Sequence, residues 1–420
     1  MRTRTKVVIL LAAAFLIRLV LIIALKTYEY PVKWEYEVIV NNILSGKGFL
    51  YNFLQVPYRS FNNPLYSYIC AGIYYITAHS YFAVLAVQSL FTVLLAAVVF
   101  NISKIMFNEK TGIMAAAIIC FHPGLAYYDI FNLIPLSIDS FIIAAIALLF
   151  IKFKERPTPL NMALIGAIIG AGVLSRGIIG AILPFLVLYS LISMRSVTIR
   201  YRIRAVAFLS LATFAVIAPW IVRNYVIHKQ VLIISTTGET FWRGNNMYAV
   251  GTSLAKDGRS ILELWPEDFR NKIYKMDEMR QKKFFETEAL EFIKNHPLDT
   301  VKLYIKKMYY FWWFSPQSGA LYPRTYLIVY KCLYPIFLIF SAVGASTALF
   351  FRGEAPRSNA LVMIFILTSV CLTQSLFYVE GRHRWLVEPL LAVFFSYGVL
   401  ESLSYIKTVT GLSKVKGGRQ

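Results

Sequence analysis

Acidic residues are scarce in this chain. Asp and Glu number 22 among 420 residues, against 43 Lys and Arg, and charged residues of all kinds make up only 15%. A soluble domain carries charge on about a quarter of its residues, so the shortage argues against a large water-facing globule. Cysteine is nearly absent too: Cys70, Cys120, Cys332 and Cys371 lie singly in apolar runs, without the CxxC spacing of a metal or redox site, and read as small packing residues. His79, His122, His228, His296 and His383 show no metal-ligand spacing, so no structural zinc site is predicted. No Walker motif, no GxGxxG after a strand and no GxSxG occurs, which argues against soluble nucleotide chemistry.

What is present is apolar. Hydrophobic residues reach 58% and aromatics 15%, with a mean hydropathy of +0.58, which predicts an all-α polytopic membrane protein. Apolar runs of spanning length fall near 6–26, 82–105, 112–131, 136–152, 161–176, 178–194, 205–222, 325–350, 359–378 and 386–405, giving about ten transmembrane helices. The first run follows a basic MRTRTK start and lacks a small-residue cleavage signal, so it is expected to remain as a span. The net charge of +21 is explained by topology and anionic membrane lipids rather than nucleic acid, because no basic stripe interleaved with aromatics appears.

Basic clusters set the orientation. Arg2/Arg4/Lys6, Lys104/Lys110, Lys152/Lys154/Arg156, Arg195/Arg200/Arg202/Arg204, Arg352/Arg357 and Lys407/Lys414/Lys416 are placed in the cytoplasm by the positive-inside rule, with both termini. The aromatic run Pro64 to Ala78 would reverse every later cluster if it crossed, and it is short for a span. It is therefore expected to be a re-entrant or interfacial helix. Two large extracytoplasmic loops remain, about 27–81 and about 223–324. They divide the chain into an N-terminal module (1–222), a loop region (223–324) and a C-terminal module (325–420). The loop region ends in VKLYIKKMYYFWWFSP, whose lysines and aromatics suit a helix at the membrane interface.

Charges near the outer ends of spans are candidates for chemistry. Arg176 in GVLSRGII, Arg223 after Pro219-Trp220, and Arg382 and Arg384 in EGRHRW come from three hairpins that aim arginine at one side of the bundle. Guanidinium at the edge of a bilayer is costly, and its planar fork suits phosphate, so convergence points to an anion to be held. Arg18, midway along the first span, lacks such company and is expected to find a structural partner or to snorkel. Among carboxylates, Glu35 and Glu37 flank Tyr36 beside Trp34, a setting able to raise basicity, and Asp139 lies about a turn into a span.

Pro219 to Gly251, PWIVRNYVIHKQVLIISTTGETFWRGNNMYAVG, resembles a signature of bacterial family 39 type glycosyltransferases. These membrane enzymes of the C-type superfamily include protein O-mannosyltransferases and lipid A aminoarabinose transferases. The stretch KWEYEVIVNNILSGKGF (Lys33 to Phe49) resembles their first outer loop, and RSFNNPLYSY (Arg59 to Tyr68) the element after it. LSRG, EALEFIKNHP and GRHRWLVEPLL match further in order.

The resemblance implies the C-type fold and an inverting transfer on the outer face of a bacterial inner membrane, from a polyprenyl-phosphate sugar to a lipid, glycan or protein acceptor. It implies a first-loop acid as catalytic base. Where many relatives carry an Asp-Glu pair this chain has Pro31 and Val32, so the base is Glu35 or Glu37, with Glu35 favoured by motif position. The second acid falls on Asp139, with Asp129 as the alternative. Lys33, Tyr36, Arg59, Arg176, Arg223, Asn224, Asn245, Asn246, Arg382 and Arg384 are then expected to bind substrate, and a divalent metal ion is possible. A lipid-linked sugar flippase, or a binding protein without catalysis, is the rival reading; a transporter should show internal repeats, and none is found.

Overall fold

The computed structural model describes residues 3–194 and 197–410. Arg2, Arg195, Lys414 and Lys416 of the basic clusters lie outside the described residues. The first helix, α1 (Thr3–Ala24), is followed by α2 (Glu35–Leu44), a hairpin of β1 (Tyr51–Phe53) and β2 (Val56–Tyr58), and α3 (Pro64–Thr77). A run of apolar helices follows: α4 (Tyr81–Met106), α5 (Glu109–Cys120), α6 (Pro123–Phe131), α7 (Leu136–Phe153), α8 (Pro159–Ser175), α9 (Ile182–Ser193) and α10 (Ile199–His228). Short helices then fill the second loop: α11 (Thr237–Gly244), α12 (Glu267–Tyr274), α13 (Glu278–Asn295), α14 (Pro297–Trp312) and α15 (Ser318–Leu321). The chain ends in α16 (Arg324–Phe350), α17 (Glu354–Gln374), α18 (Gly381–Trp385) and α19 (Glu388–Val409).

Seven helices are long and apolar enough to cross a membrane, and an eighth span forms if α5 and α6, bent by 42° across His122, count as one. The two remaining expected spans are α8 and the Gly177–Ser193 segment, apolar helices too short to qualify by length. The fourteen-residue α3 is not among the candidate spans. It begins on Pro64, whose missing N–H is no loss at a helix start.

Small residues let helices approach to backbone contact. A Cβ on Gly166 of α8 would lie 2.1 Å from the Leu209 carbonyl oxygen of α10, and one on Gly170 would lie 2.8 Å from that of Thr213. Thr213 donates its hydroxyl to the Gly166 carbonyl at 2.9 Å, tying the same pair. Lipid gives helices no hydrophobic reason to associate, so close packing of this kind replaces it.

Charge inside the bundle is paired. Arg18 of α1 meets Asp129 of α6 at 3.3 Å, both almost fully enclosed, and donates a second bond to the Ala14 carbonyl. The pair explains the arginine in the first span and places Asp129 in a structural role. Removing one partner of a buried pair strands the other charge, at a cost of about 3–5 kcal/mol. Asp129→Ala should therefore lower the detergent-solubilised melting temperature sharply, whereas Arg18→Leu/Asp129→Leu recovers most of the loss. A single variant that melts with the wild type would sink this assignment.

Candidate active site

Glu35 and Glu37 both sit in the first turn of α2, where the helix dipole favours acids. Two positions apart on a helix is about 200° of rotation, so the two carboxylates point to opposite sides. Glu37, 6% exposed, turns toward α3 and α4. It accepts hydrogen bonds from the hydroxyls of Tyr74 at 2.7 Å and Tyr81 at 3.2 Å, and contacts His79 Nε2 at 3.1 Å. Glu35 is half-buried and accepts from Asn62 Nδ2 at 3.0 Å.

Asp139, one turn into α7, has no exposure at all. It accepts from Ser175 Oγ at 2.5 Å and Arg176 Nε at 2.7 Å, both at the C-terminal end of α8. Arg382, at the start of α18, pairs through Nε with Glu380 at 2.9 Å and lies 4.8 Å over the Trp34 ring. The Ser253 hydroxyl also donates to Glu380, and a reciprocal cap between Glu380 and His383 fixes the turn. Both guanidiniums are held by Nε and keep partial exposure, 23% for Arg176 and 17% for Arg382.

Tyr36 joins these groups. Its phenol is pushed above its ordinary range by burial and then by Glu35, and it also feels the charges of Arg176, Asp139 and Arg382. Burial, Arg382 and Arg176 together hold His383 well below the usual histidine range, so it stays neutral. The structure thus brings Glu35, Tyr36, Asp139, Arg176 and Arg382 to one place at the end of the bundle capped by the loop helices.

One residue of this centre escaped sequence reasoning. Arg243 of α11 pairs with Glu239 through Nε at 2.8 Å, and its guanidinium lies 5.3 Å over the ring of Tyr378, which also feels the charge of Arg382. The signal was present as the i, i+4 pair Glu239 and Arg243 in GETFWRG.

The other expected binding residues lie elsewhere. Arg384 is 1% exposed, paired with Glu388 at 2.7 Å and enclosed by the rings of Phe314, Tyr330 and Tyr334, out of reach of a ligand in this centre. Arg223 stacks 4.5 Å over Trp220 and donates to the Arg59 carbonyl at 2.6 Å. Asn224 is fully buried and ties Ser60 to the Leu232 and Ile233 carbonyls. Asn245 and Asn246 are buried, their amides donating to carbonyls of α11. Arg59 is exposed with its backbone bonded to Glu278, and Lys33 is exposed, 4.5 Å over Tyr81. Among the described residues no three His, Cys, Asp or Glu side chains are grouped to hold a metal ion. Asp139 is already taken by Ser175 and Arg176, so this donor set does not fit a divalent cation.

Lys307 of α14 fixes the end of α11 by donating to the Gly244 carbonyl and Asn245 Oδ1 at 3.0 and 3.1 Å. Burial pushes its amine down to about 7. Between that value and its ordinary range, about 10.4, the unfolded chain holds the extra proton, so stability contributed here rises with pH. Wild type should gain stability relative to Lys307→Met as pH climbs from 7 to 10, measured by thermal unfolding. Parallel profiles would show the amine to be charged in the fold.

A profile of dolichyl-phosphate-mannose-protein mannosyltransferases matches residues 55–222, less than half of the chain. No curated protein matches. Among solved structures, ArnT from Cupriavidus metallidurans bound to undecaprenyl phosphate is similar at 13% identity and a TM-score of 0.57, over 97% of this chain and 63% of that one. The archaeal oligosaccharyltransferase AglB from Archaeoglobus fulgidus, in complex with an inhibitory peptide and a dolichol-phosphate, is similar at 14% identity and a TM-score of 0.53, over 99% of this chain and 52% of that one. The apo form of the A. fulgidus oligosaccharyltransferase gives 13% identity and a TM-score of 0.57, over 99% and 52%. The chain spans about half the length of the oligosaccharyltransferases and under two thirds of ArnT. At such identities the likeness is one of architecture: this polytopic membrane protein has the fold of the C-type glycosyltransferases.

Proposed function

We propose that the protein is an integral-membrane inverting glycosyltransferase that moves a sugar from a polyprenyl-phosphate donor to an acceptor at the extracytoplasmic face. One observation carries the reading: Glu35 lies with Tyr36 near two part-exposed guanidiniums, Arg176 and Arg382, each paired through Nε with a carboxylate, Asp139 and Glu380. A donor of this kind has a weakly basic phosphate leaving group. The reaction therefore needs an acceptor hydroxyl relieved of its proton and an anchored phosphate.

Glu35 takes that proton as the acceptor oxygen bonds to the anomeric carbon. The bond from that carbon to the phosphate oxygen breaks and its electron pair leaves with the polyprenyl phosphate. Arg176 and Arg382, with Arg243 nearby, receive the phosphate, and Asp139 sets the direction of Arg176. The match to a mannosyltransferase profile, and the dolichol-phosphate and undecaprenyl phosphate bound by AglB and ArnT, support the donor class. In this reading residues 1–222 supply base and first arginine, 223–324 close the centre, and 325–420 bring Arg382. The basic clusters support cytoplasmic termini in a bacterial inner membrane.

The test is transfer by the purified protein from polyprenyl-phosphate sugars. Glu35→Gln should abolish transfer while melting like the wild type. Glu37→Gln should destabilise the protein and leave the chemistry to the folded fraction. Arg176→Lys or Arg382→Lys should each lower turnover by about 10²- to 10³-fold, the loss typical of one preorganised donor. Full turnover in Glu35→Gln would remove it from the mechanism.

A further inference from the structure

Helix α14 has two apolar faces, and the described residues cover only one of them. Leu303, Lys307, Tyr310 and Phe311 form its buried face. There Lys307 holds the end of α11, and Tyr310 packs so closely on Gly251 that an added Cβ would lie 3.2 Å from the ring. Leu298, Val301, Ile305 and Tyr309, spaced by three and four residues, form a second stripe in which each side chain is more than half exposed. Leu298 and Lys307 stand about two and a half turns apart, so the stripe and the buried face point in opposite directions. A water-facing surface rarely carries a contiguous apolar stripe without a partner.

The helix is tied to the end of a membrane span. The Tyr304 hydroxyl of α14 donates to the Leu372 carbonyl at 3.0 Å. Leu372 stands about 3 Å from the last residue of α17, which is long and apolar enough to cross a bilayer. Arg352 and Arg357 mark the other end of that span. Lys302 and Lys306, both exposed, border the stripe along one side. Lys302 has an exposed partner in Asp299 at 3.5 Å, a pair worth little in water, and Lys306 lies 5.6 Å over the Tyr310 ring. A third amine, Lys331 of α16, emerges among exposed Ile328, Val329 and Leu333 and lies 5.6 Å over Phe314, just beyond α14. Cations at the end of the bundle away from the basic clusters run against the usual topological bias, so they call for a partner there.

Two demands thus arise side by side on one helix: cover for an apolar stripe and an anion for its lysines. An anionic phospholipid supplies both, acyl chains for the stripe and phosphate for the amines. A zwitterionic lipid sets its own ammonium against the phosphate, and an acidic protein or glycan brings no acyl chain. We propose that α14 docks into the leaflet at this end of the bundle, with Leu298, Val301, Ile305 and Tyr309 among the acyl chains and Lys302 and Lys306 on the phosphates of anionic phospholipids. Helices with lysines along an apolar face settle in the plane of the interface. Each lysine there is worth about a fivefold preference for an anionic surface. Docking of α14 does not depend on the glycosyltransferase reading.

The test uses the full-length chain in lipid nanodiscs. Cys332→Ser removes the exposed thiol and leaves Cys70, Cys120 and Cys371, all buried. An NBD fluorophore is attached to Val301→Cys, to Ile305→Cys or, as a reference, to Asp257→Cys in an exposed turn of the loop region. Quenching by phosphatidylglycerol brominated on its acyl chains is compared with quenching by equally brominated phosphatidylcholine at the same mole fraction. Both stripe labels should be quenched more than the Asp257 label, and more by phosphatidylglycerol than by phosphatidylcholine. Lys302→Gln/Lys306→Gln should abolish that preference, and Lys302→Arg/Lys306→Arg should keep it. Equal quenching by the two lipids, or a preference that survives the glutamine pair, would overturn the anionic assignment. Stripe labels quenched no more than the reference would overturn docking altogether; if their emission were also blue-shifted, a protein surface would be the cover.

Discussion

The contact between Asp139 and Arg176 is the constraint on which the centre depends. A carboxylate one turn inside an apolar helix, shut off from water, is tolerable only if its oxygens are fully engaged. Ser175 and Arg176 engage them from the next helix in the chain. The pair therefore fixes the end of α7 against the end of α8. The carboxylate binds the guanidinium through Nε, and the side chain keeps 23% of its exposure. Arg382 on Glu380 repeats the arrangement, and Arg243 on Glu239 offers a third guanidinium close by.

The loop segments complete what the pairs begin. Glu37 is bonded to Tyr74, Tyr81 and His79, which belong to α3, α4 and the turn between them. That bonding sets the rotation of α2 about its axis, and with it the direction of Glu35 on the opposite side. On the far side, Lys307 ties the end of α11 to α14, while the Val379 amide donates to the Gly251 carbonyl. Glu35 and the guanidiniums thus come from segments far apart in sequence, each aimed by a neighbouring side chain.

Much of the fold was legible because hydropathy is a local property. Ten apolar runs correspond to seven qualifying helices, one bent pair and two shorter apolar helices, and the Pro64 to Ala78 segment is a helix outside the set of candidate spans. Glu35 and Glu37 could have been separated by helical rotation alone, without any family knowledge. What could not be read was which polar groups satisfy one another. The family resemblance alone marks Asn224, Asn245 and Asn246 as binding residues, and in the fold their amides donate to neighbouring carbonyls. Arg384 lies two positions from Arg382 in one loop, but the rings of Phe314, Tyr330 and Tyr334, from a distant segment, enclose it. Only the assembled bundle distinguishes the two arginines.

Pairing also bears on how the proposed centre would attract phosphate. Arg176, Arg243 and Arg382 are each neutralised by a fixed carboxylate, so with Glu35 ionised the centre has no surplus of positive charge. The donor phosphate would be recognised through open N–H groups aimed at it rather than through net charge. In the proposed transfer the acceptor proton neutralises Glu35 as the departing phosphate gains a negative charge. The total charge of the centre stays constant while its negative end moves from α2 toward the arginines. Fixed carboxylates behind those arginines hold them in place throughout, so the site has no need to reorganise as the charge crosses it.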